Sequence, residues 1–158
     1  MQSDINKVYV TNKPMTEHQV LEKAAEILAC KYVRQDAFCS SEATKDFLRF
    51  KLGNYEREVF AVMLLDSQHK MIEYRELFLG TIDAASVYPR EVVKAVLLEN
   101  AAAVIFAHNH PSGTCEPSTA DKAITKRLQQ ALALIDVTVL DHIVIGDGTM
   151  SFAEHGLL

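Results

Sequence analysis

The chain has 158 residues, 49% hydrophobic and 23% charged, which is enough for one globular domain with a substantial core. Its net charge of −5 supplies no broad cationic surface, which argues against nucleic-acid binding as the main function. Three irregularly spaced cysteines provide neither a disulfide framework nor a CxxC zinc pair. The first residues lack the apolar core of a signal peptide, and no run is long enough to span a membrane, so a cytoplasmic protein is expected.

The first half of the chain predicts two helices followed by two strands. Thr16 and Gln19 have the spacing of a capping box, and a helix is expected over 16–34. A second helix is expected over 41–52, ending before Gly53. The next run, EVFAVMLLD, is almost continuously apolar, which is typical of a strand covered on both faces. MIEYRELFLG alternates enough to pair back on it as a hairpin.

The second half predicts helices that alternate with strands. Pro89 has the position of a first-turn proline in a helix that reaches Asn100. AVIFA, residues 103–107, predicts a second buried strand. Ser118 begins another helix, whose inward face is expected to contain five apolar residues. These are Ala120, Ile124, Leu128, Ala131 and Ile135.

The end of the chain predicts a strand over 137–146, the turn GDGT and a short strand near 151–153. Strands that alternate with helices, two of them continuously apolar, indicate a sheet covered on both faces. The expected fold class is therefore α/β, with a mixed β-sheet flanked by helices.

Two histidines and an aspartate surround the loop after the second apolar strand. Residues i and i+2 of a strand point to the same side, so His108 and His110 can converge at the strand's carboxyl end. Asp121 lies in the first turn of the following helix and can reach the same point. Two imidazoles and one carboxylate leave one position open on a tetrahedral Zn²⁺, which is typical of a catalytic zinc site.

The same residues have simpler interpretations. Ser118 and Asp121 also have the spacing of an ordinary capping box, and a His-x-His pair alone often arises by chance. The joint spacing of two histidines, serine and aspartate is far more specific and favours a metal site. Cys115 is interpreted as an incidental loop cysteine, and His142 as a core histidine or one that supports a ligand. A short basic stripe is interpreted as a solvated helix face: Lys122, Lys126 and Arg127.

The motif HNHPSGTCEPSTAD resembles that of the JAMM (MPN+) metalloproteases, which is an upstream glutamate followed by H-x-H-x(7)-S-x-x-D. GTIDAASVYPREVVKAVLLENAAAVIFAHNHPSG, LDHIVIG and SFAEHGLL are similar to the RadC family over 37–158. The short form resembles RadC-like proteins of enteric bacterial prophage regions. The resemblance implies one JAB/MPN domain over 37–158, related in fold to the cytidine deaminases. Residues 1–36 are expected to be an N-terminal extension with one helix, without the helix-hairpin-helix region of full-length RadC proteins.

The resemblance also implies a role for each site residue. His108, His110 and Asp121 would be the ligands of one Zn²⁺ ion. Ser118 would hydrogen-bond the water or the developing oxyanion. The upstream glutamate, which moves the proton, is assigned to Glu58. Three neighbouring glutamates remain alternatives: Glu56, Glu73 and Glu76.

The implied function is zinc-dependent cleavage of a peptide or isopeptide bond, with a peptide or protein as substrate. Two alternatives remain open: a DNA-repair-associated accessory protein, and a metal-binding interaction module whose catalysis has lapsed. Nucleic-acid binding is expected to be weak, and no membrane partner is expected. A cytidine deaminase is disfavoured because the HxE and PCxxC motifs are missing, and 158 residues are too few for a TIM barrel. The string HNH is not the dispersed metal motif of an HNH nuclease.

Overall fold

The structure, a computed structural model, describes residues 13–33, 41–80 and 86–158. Four helices and five strands form in the described residues, in the order α1 α2 β1 β2 α3 β3 α4 β4 β5. The helices are α1 (Glu17–Val33), α2 (Ser41–Leu52), α3 (Pro89–Leu98) and α4 (Thr119–Ala133). The strands are β1 (Val59–Leu65), β2 (Met71–Leu79), β3 (Ala103–Asn109), β4 (Thr138–Ile145) and β5 (Thr149–Ser151).

The strands form one mixed sheet in the order β2-β1-β3-β4-β5. β1 pairs antiparallel with both β2 and β3, β4 lies parallel to β3, and β5 returns antiparallel to β4. The predicted α/β architecture, a mixed sheet flanked by helices, is confirmed.

Each face of the sheet packs against helices and forms its own apolar cluster. Alternate residues of β1 supply the two clusters: Ala61 and Met63 pack with α2, whereas Phe60 and Val62 pack with α3 and α4. Every residue of β1 and of β3 is buried, which explains why these strands are apolar along their whole length. The candidate site lies at the carboxyl end of β3, on the face of the sheet that packs against α4.

Helix starts follow the local signals in the sequence. Thr16 and Gln19 form the expected capping box, with Gln19 N–H donating to Thr16 Oγ1 and Thr16 N–H donating to Gln19 Oε1. Ala25 of α1 is fully buried in the α2-side cluster, so α1 packs against the sheet domain. Among the described residues, no helix combines the length and the apolar character needed to cross a membrane.

Two differences from the expected elements bear on the candidate site. β3 extends to Asn109 instead of ending at Ala107, so His108 lies within the strand. On α4 the buried side chains are Thr125, Leu128 and Leu132, and Ala120 is exposed. The helix therefore presents a polar threonine to the sheet where only apolar residues were expected.

One irregularity in β4 decides which of its side chains face α4. Val104 pairs with Val139 and Ile105 with Asp141, so Leu140 is an extra residue in the β3–β4 ladder. Val139 consequently packs with the α4-side cluster and Ile143 with the opposite one, although residues four apart in a regular strand share a face. This shift places His142 on the α4 face beside His108.

We expect the fold to survive removal of any metal, because both apolar clusters extend over the sheet without help from the candidate site. Incubation with a strong chelator should leave the far-UV circular dichroism spectrum unchanged. The melting temperature should fall only to the extent that metal binding had stabilised the folded state. Collapse of the spectrum on chelation would show that the ion is structural.

Candidate metal centre

Three side chains converge at the carboxyl end of β3. His108, His110 and Asp121 each present a ligand atom within 4.8 Å of the others and could hold a metal ion. His108 Nε2 lies 3.0 Å from His110 Nε2 and 3.3 Å from Asp121 Oδ1, and His110 Nε2 lies 3.5 Å from Asp121 Oδ2. His108 is 1% exposed, so the group is held by the core on one side. The predicted convergence of these three residues is present in the structure.

Asp121 caps the start of α4 and also belongs to the cluster of candidate ligands. Asp121 N–H donates to Ser118 Oγ, and the Ser118 N–H and hydroxyl both donate to Asp121 Oδ2, which completes a capping box at the start of α4. The capping interpretation and the metal interpretation are therefore compatible, since Oδ1 still faces His108. The cap fixes the rotamer that directs the carboxylate toward the two imidazoles.

The donor atoms form a set that fits a cation. His110 Nδ1 lies 3.0 Å from the carbonyl oxygen of Thr114, which can only accept, so Nδ1 carries the proton and neutral His110 has a free lone pair on Nε2. That lone pair faces His108 Nε2 and the Asp121 carboxylate. Lone pairs and a carboxylate at such short separations repel unless a proton or a metal ion lies between them. Nitrogen and oxygen ligands of this kind suit Zn²⁺.

The ionisation of the cluster agrees with this picture. The hydrogen bond to Asp121 raises the pKa of His110 above its usual range, against the opposing effect of burial. Burial alone would raise the pKa of Asp121, but hydrogen bonds to His108 and His110 outweigh it and hold that pKa well below its usual range. The site thus favours positive charge next to a carboxylate that stays ionised.

Metal affinity should fall as the pH is lowered, because the metal and a proton compete for His110 Nε2. In the metal-free protein, protonated His110 contributes stability that is fully present below the ordinary imidazole pKa and is lost as pH rises through the raised pKa. Binding should weaken below that raised pKa by about tenfold per pH unit for each proton displaced. Chelator-competition titrations across about pH 5 to 8 would measure this, and an affinity independent of pH there would contradict it.

The strand register, extended beyond the ends of β1 and β3, aligns Glu58 with His110. The β1–β3 register pairs Phe60 with His108, and continuing it by two residues aligns Glu58 with His110 on the α4 face. The negative charge of Glu58 contributes, less than Asp121 does, to raising the pKa of His110. Glu58 is half-buried, and its carbonyl accepts a hydrogen bond from Gly80 N–H at 2.7 Å. The backbone of Glu58 is thus held to the residue that follows β2.

The three alternative glutamates have other surroundings. Glu76 accepts hydrogen bonds from the hydroxyls of Tyr55 and Tyr74, which pack with the α2-side cluster on the opposite face of the sheet. Glu73 pairs with Arg75 and lies across from Leu64, at the far end of β1. The remaining alternative, Glu56, is exposed. Glu58 is the glutamate of the four that the strand register brings to the metal cluster.

Asn109, between the two histidines, holds the segment that carries Glu58. Its Oδ1 accepts from Val59 N–H at 2.8 Å, and its Nδ2 donates to the carbonyls of Arg57 at 2.9 Å and Tyr55 at 3.3 Å. These bonds fasten the backbone on both sides of Glu58, and Asn109 is 3% exposed. Sequence reasoning missed this role. The available signal was the position of Asn109 between the two histidines, which directs its amide to the opposite face of the sheet.

Two other features agree with their simpler interpretations. Cys115 Sγ accepts a hydrogen bond from Gly148 N–H at 3.2 Å and thereby ties the ligand loop to the β4–β5 turn. Lys122, Lys126 and Arg127 are exposed on α4, as expected for a solvated helix face. Neither feature adds a ligand to the cluster.

Comparison with known proteins places the chain in a family. A family model described as the RadC-like JAB domain matches residues 38–157. Two UPF0758 proteins of Vibrio cholerae are 64% and 59% identical over 150 residues, which cover 95% of this chain and 96% and 95% of theirs. A UPF0758 protein of Thioalkalivibrio sulfidiphilus is 55% identical over 139 residues, covering 88% of this chain and 62% of its own length. Since both kinds of match span most of the chain, it belongs to the RadC-like JAB domain family.

Proposed function

We propose that the chain is a zinc-dependent hydrolase of the JAMM type that cleaves a peptide or isopeptide bond. The observation that carries the proposal is the convergence of His108, His110 and Asp121. The extended strand register aligns Glu58 with one of them, His110. Three protein ligands are the number found in catalytic zinc sites, whereas structural sites use four. A zinc ion bound there would polarise the scissile carbonyl and make an attacking water more acidic.

Glu58 is assigned the proton transfer. A carboxylate that is separate from the metal ligands can take a proton from the attacking water and return it to the leaving amine, provided that it lies within hydrogen-bond reach. The backbone contacts of Asn109 with Arg57 and Val59 support this assignment, because they limit the positions that Glu58 can adopt.

Ser118 is assigned the stabilisation of the tetrahedral oxyanion. Its hydroxyl donates to Asp121 Oδ2 at 2.7 Å in the present arrangement. Rotation of the hydroxyl about the Cβ–Oγ bond would redirect its proton to substrate, while Oγ still accepts from Asp121 N–H and the Ser118 N–H keeps its own bond to Asp121. The role therefore requires that the hydroxyl proton turn from Asp121 Oδ2 to the substrate.

The substrate is proposed to be a peptide or protein, and DNA binding is proposed to be weak at physiological salt. The exposed basic residues of α4, Lys122, Lys126 and Arg127, make a short stripe on a chain of net charge −5. A stripe of this size can neutralise only a few phosphates, so its contribution to affinity is small and sensitive to salt.

The proposal is tested with a library of internally quenched peptides and isopeptide-linked conjugates. Zinc-loaded protein should cleave at least one of them, chelated protein should not, and added zinc should restore the activity. Cleavage that persists in the chelated protein would contradict zinc dependence. Zinc binding without any turnover across the library would favour the metal-binding interaction module.

A further inference from the structure

His108 is held from behind by a continuous chain of hydrogen bonds. Its Nδ1 lies 2.8 Å from His142 Nε2, and His142 Nδ1 lies 2.6 Å from Thr125 Oγ1. Thr125 Oγ1 donates to the backbone carbonyl of Asp121 at 2.6 Å. The chain therefore begins at one ligand residue and ends on the backbone of another.

The direction of this chain follows from its last member. A carbonyl oxygen only accepts, so the Thr125 hydroxyl proton points to Asp121 and the hydroxyl oxygen must accept from His142 Nδ1–H. In a neutral imidazole the other nitrogen is then an acceptor, and His142 Nε2 accepts from His108 Nδ1–H. His108 is left with its lone pair on Nε2, the atom that faces His110 and Asp121.

The surroundings of His142 favour the neutral ring that this direction requires. His142 is 0% exposed, stacks on Phe152 with ring centroids 4.7 Å apart, and contacts Phe60 and Phe106 edge to face. An apolar enclosure of this kind disfavours a charged imidazolium. The same packing prevents the ring from rotating away from His108 and Thr125.

We infer that Thr125 and His142 are positioning residues that hold His108 in the tautomer and orientation needed to bind metal through Nε2. The inference rests on the proposed function, because only a metal-binding His108 needs its lone pair on Nε2. Hydrogen-bond partners of metal-bound histidines commonly change metal affinity by about 10–100-fold when removed.

Thr125→Val tests the inference with little change of shape. Without the hydroxyl, His142 Nδ1–H has lost its acceptor, and His142 can shift its proton to Nε2 and donate to His108 Nδ1. His108 would then carry its proton on Nε2, where it blocks the metal. Thr125→Val should lower zinc affinity about 10–100-fold. Thr125→Ser, which keeps the hydroxyl, should bind zinc with an affinity close to that of the wild type.

His142 supplies a second, independent pair of variants. His142→Phe fits an aromatic enclosure but removes the acceptor for His108, and it should weaken zinc binding to a similar extent. His142→Gln offers a carbonyl to His108 and an amide donor to Thr125, and it should retain more affinity than the phenylalanine. Thr44→Val, another buried helical threonine (3% exposed) but on the α2 face, is the control and should bind zinc like wild type.

Chelator competition gives the affinities, and long-range ¹H–¹⁵N spectra of the metal-free protein give the tautomers. We expect protons on Nδ1 of both His108 and His142 in the wild type, and a changed His108 tautomer in Thr125→Val. Equal zinc affinity in all variants, or His142 protonated on Nε2 in the wild type, would overturn the inference while leaving the proposed function in place. Failure of the wild type to bind zinc would overturn both.

Discussion

Glu58→Gln is expected to lower turnover of an amide substrate by about 10²–10⁴-fold, the usual contribution of general acid–base catalysis. The glutamine keeps the size and a hydrogen bond but cannot accept a proton from water. Because Glu58 does not belong to the group of three candidate ligands, zinc content and melting temperature should stay close to those of the wild type. Steady-state kinetics beside elemental analysis of the same preparation measure both quantities.

Glu56→Gln and Glu76→Gln are the matched controls for this experiment. Glu56 is exposed, and the Glu76 carboxylate is bound by tyrosine hydroxyls on the opposite face of the sheet. Both variants should therefore turn over substrate near the wild-type rate. Full activity of Glu58→Gln together with a loss in one control would move the role to that neighbour, and normal turnover by all three would refute the proton-transfer mechanism.

His108→Ala and His110→Ala should each lose most of the bound zinc, because removal of one of three protein ligands leaves too few donors to hold the ion. The His108→Ala substitution should also destabilise the fold, since His108 is 1% exposed. Removal of its imidazole leaves a cavity and an unpaired His142 nitrogen. His110 is half-buried at the loop, so its removal should affect metal binding with a smaller change in melting temperature.

Elemental analysis and thermal melts of both variants check this expectation. His18→Ala, an exposed histidine of α1, is the control for a simple loss of imidazole and should keep its zinc. Wild-type zinc content in both ligand variants would remove these histidines from the metal site.

The sequence predicted the features that depend on local pattern. β1 and β3 are apolar along their whole length because both faces of the sheet are covered. The continuously apolar runs EVFAVMLLD and AVIFA predicted this burial. The period of two along a strand placed His108 and His110 on one side, and the capping pattern from Ser118 placed Asp121 in the first turn of α4. These rules act within a few residues and need no tertiary information.

The parts that sequence reasoning missed depend on contacts between distant segments. The extra residue Leu140 in the β3–β4 ladder turns His142 toward His108, and no local signal marks where a strand will bulge. Thr125 is buried because its hydroxyl connects His142 to the α4 backbone, whereas apolar periodicity counts a threonine as polar. The clamp by Asn109 on the residues around Glu58 joins positions about 50 apart in the chain.

Metal analysis of the purified wild type beside Asp121→Ala tests the central claim most directly. Glu91→Ala is the control, because it removes an exposed carboxylate from the first turn of α3, the position that corresponds to Asp121 in α4, and leaves the cluster untouched. We predict about one zinc ion per chain in the wild type and in Glu91→Ala, and little in Asp121→Ala. Wild-type protein that carries no zinc after purification in zinc-containing buffer would contradict the account. An Asp121→Ala variant with full zinc content would contradict it as well.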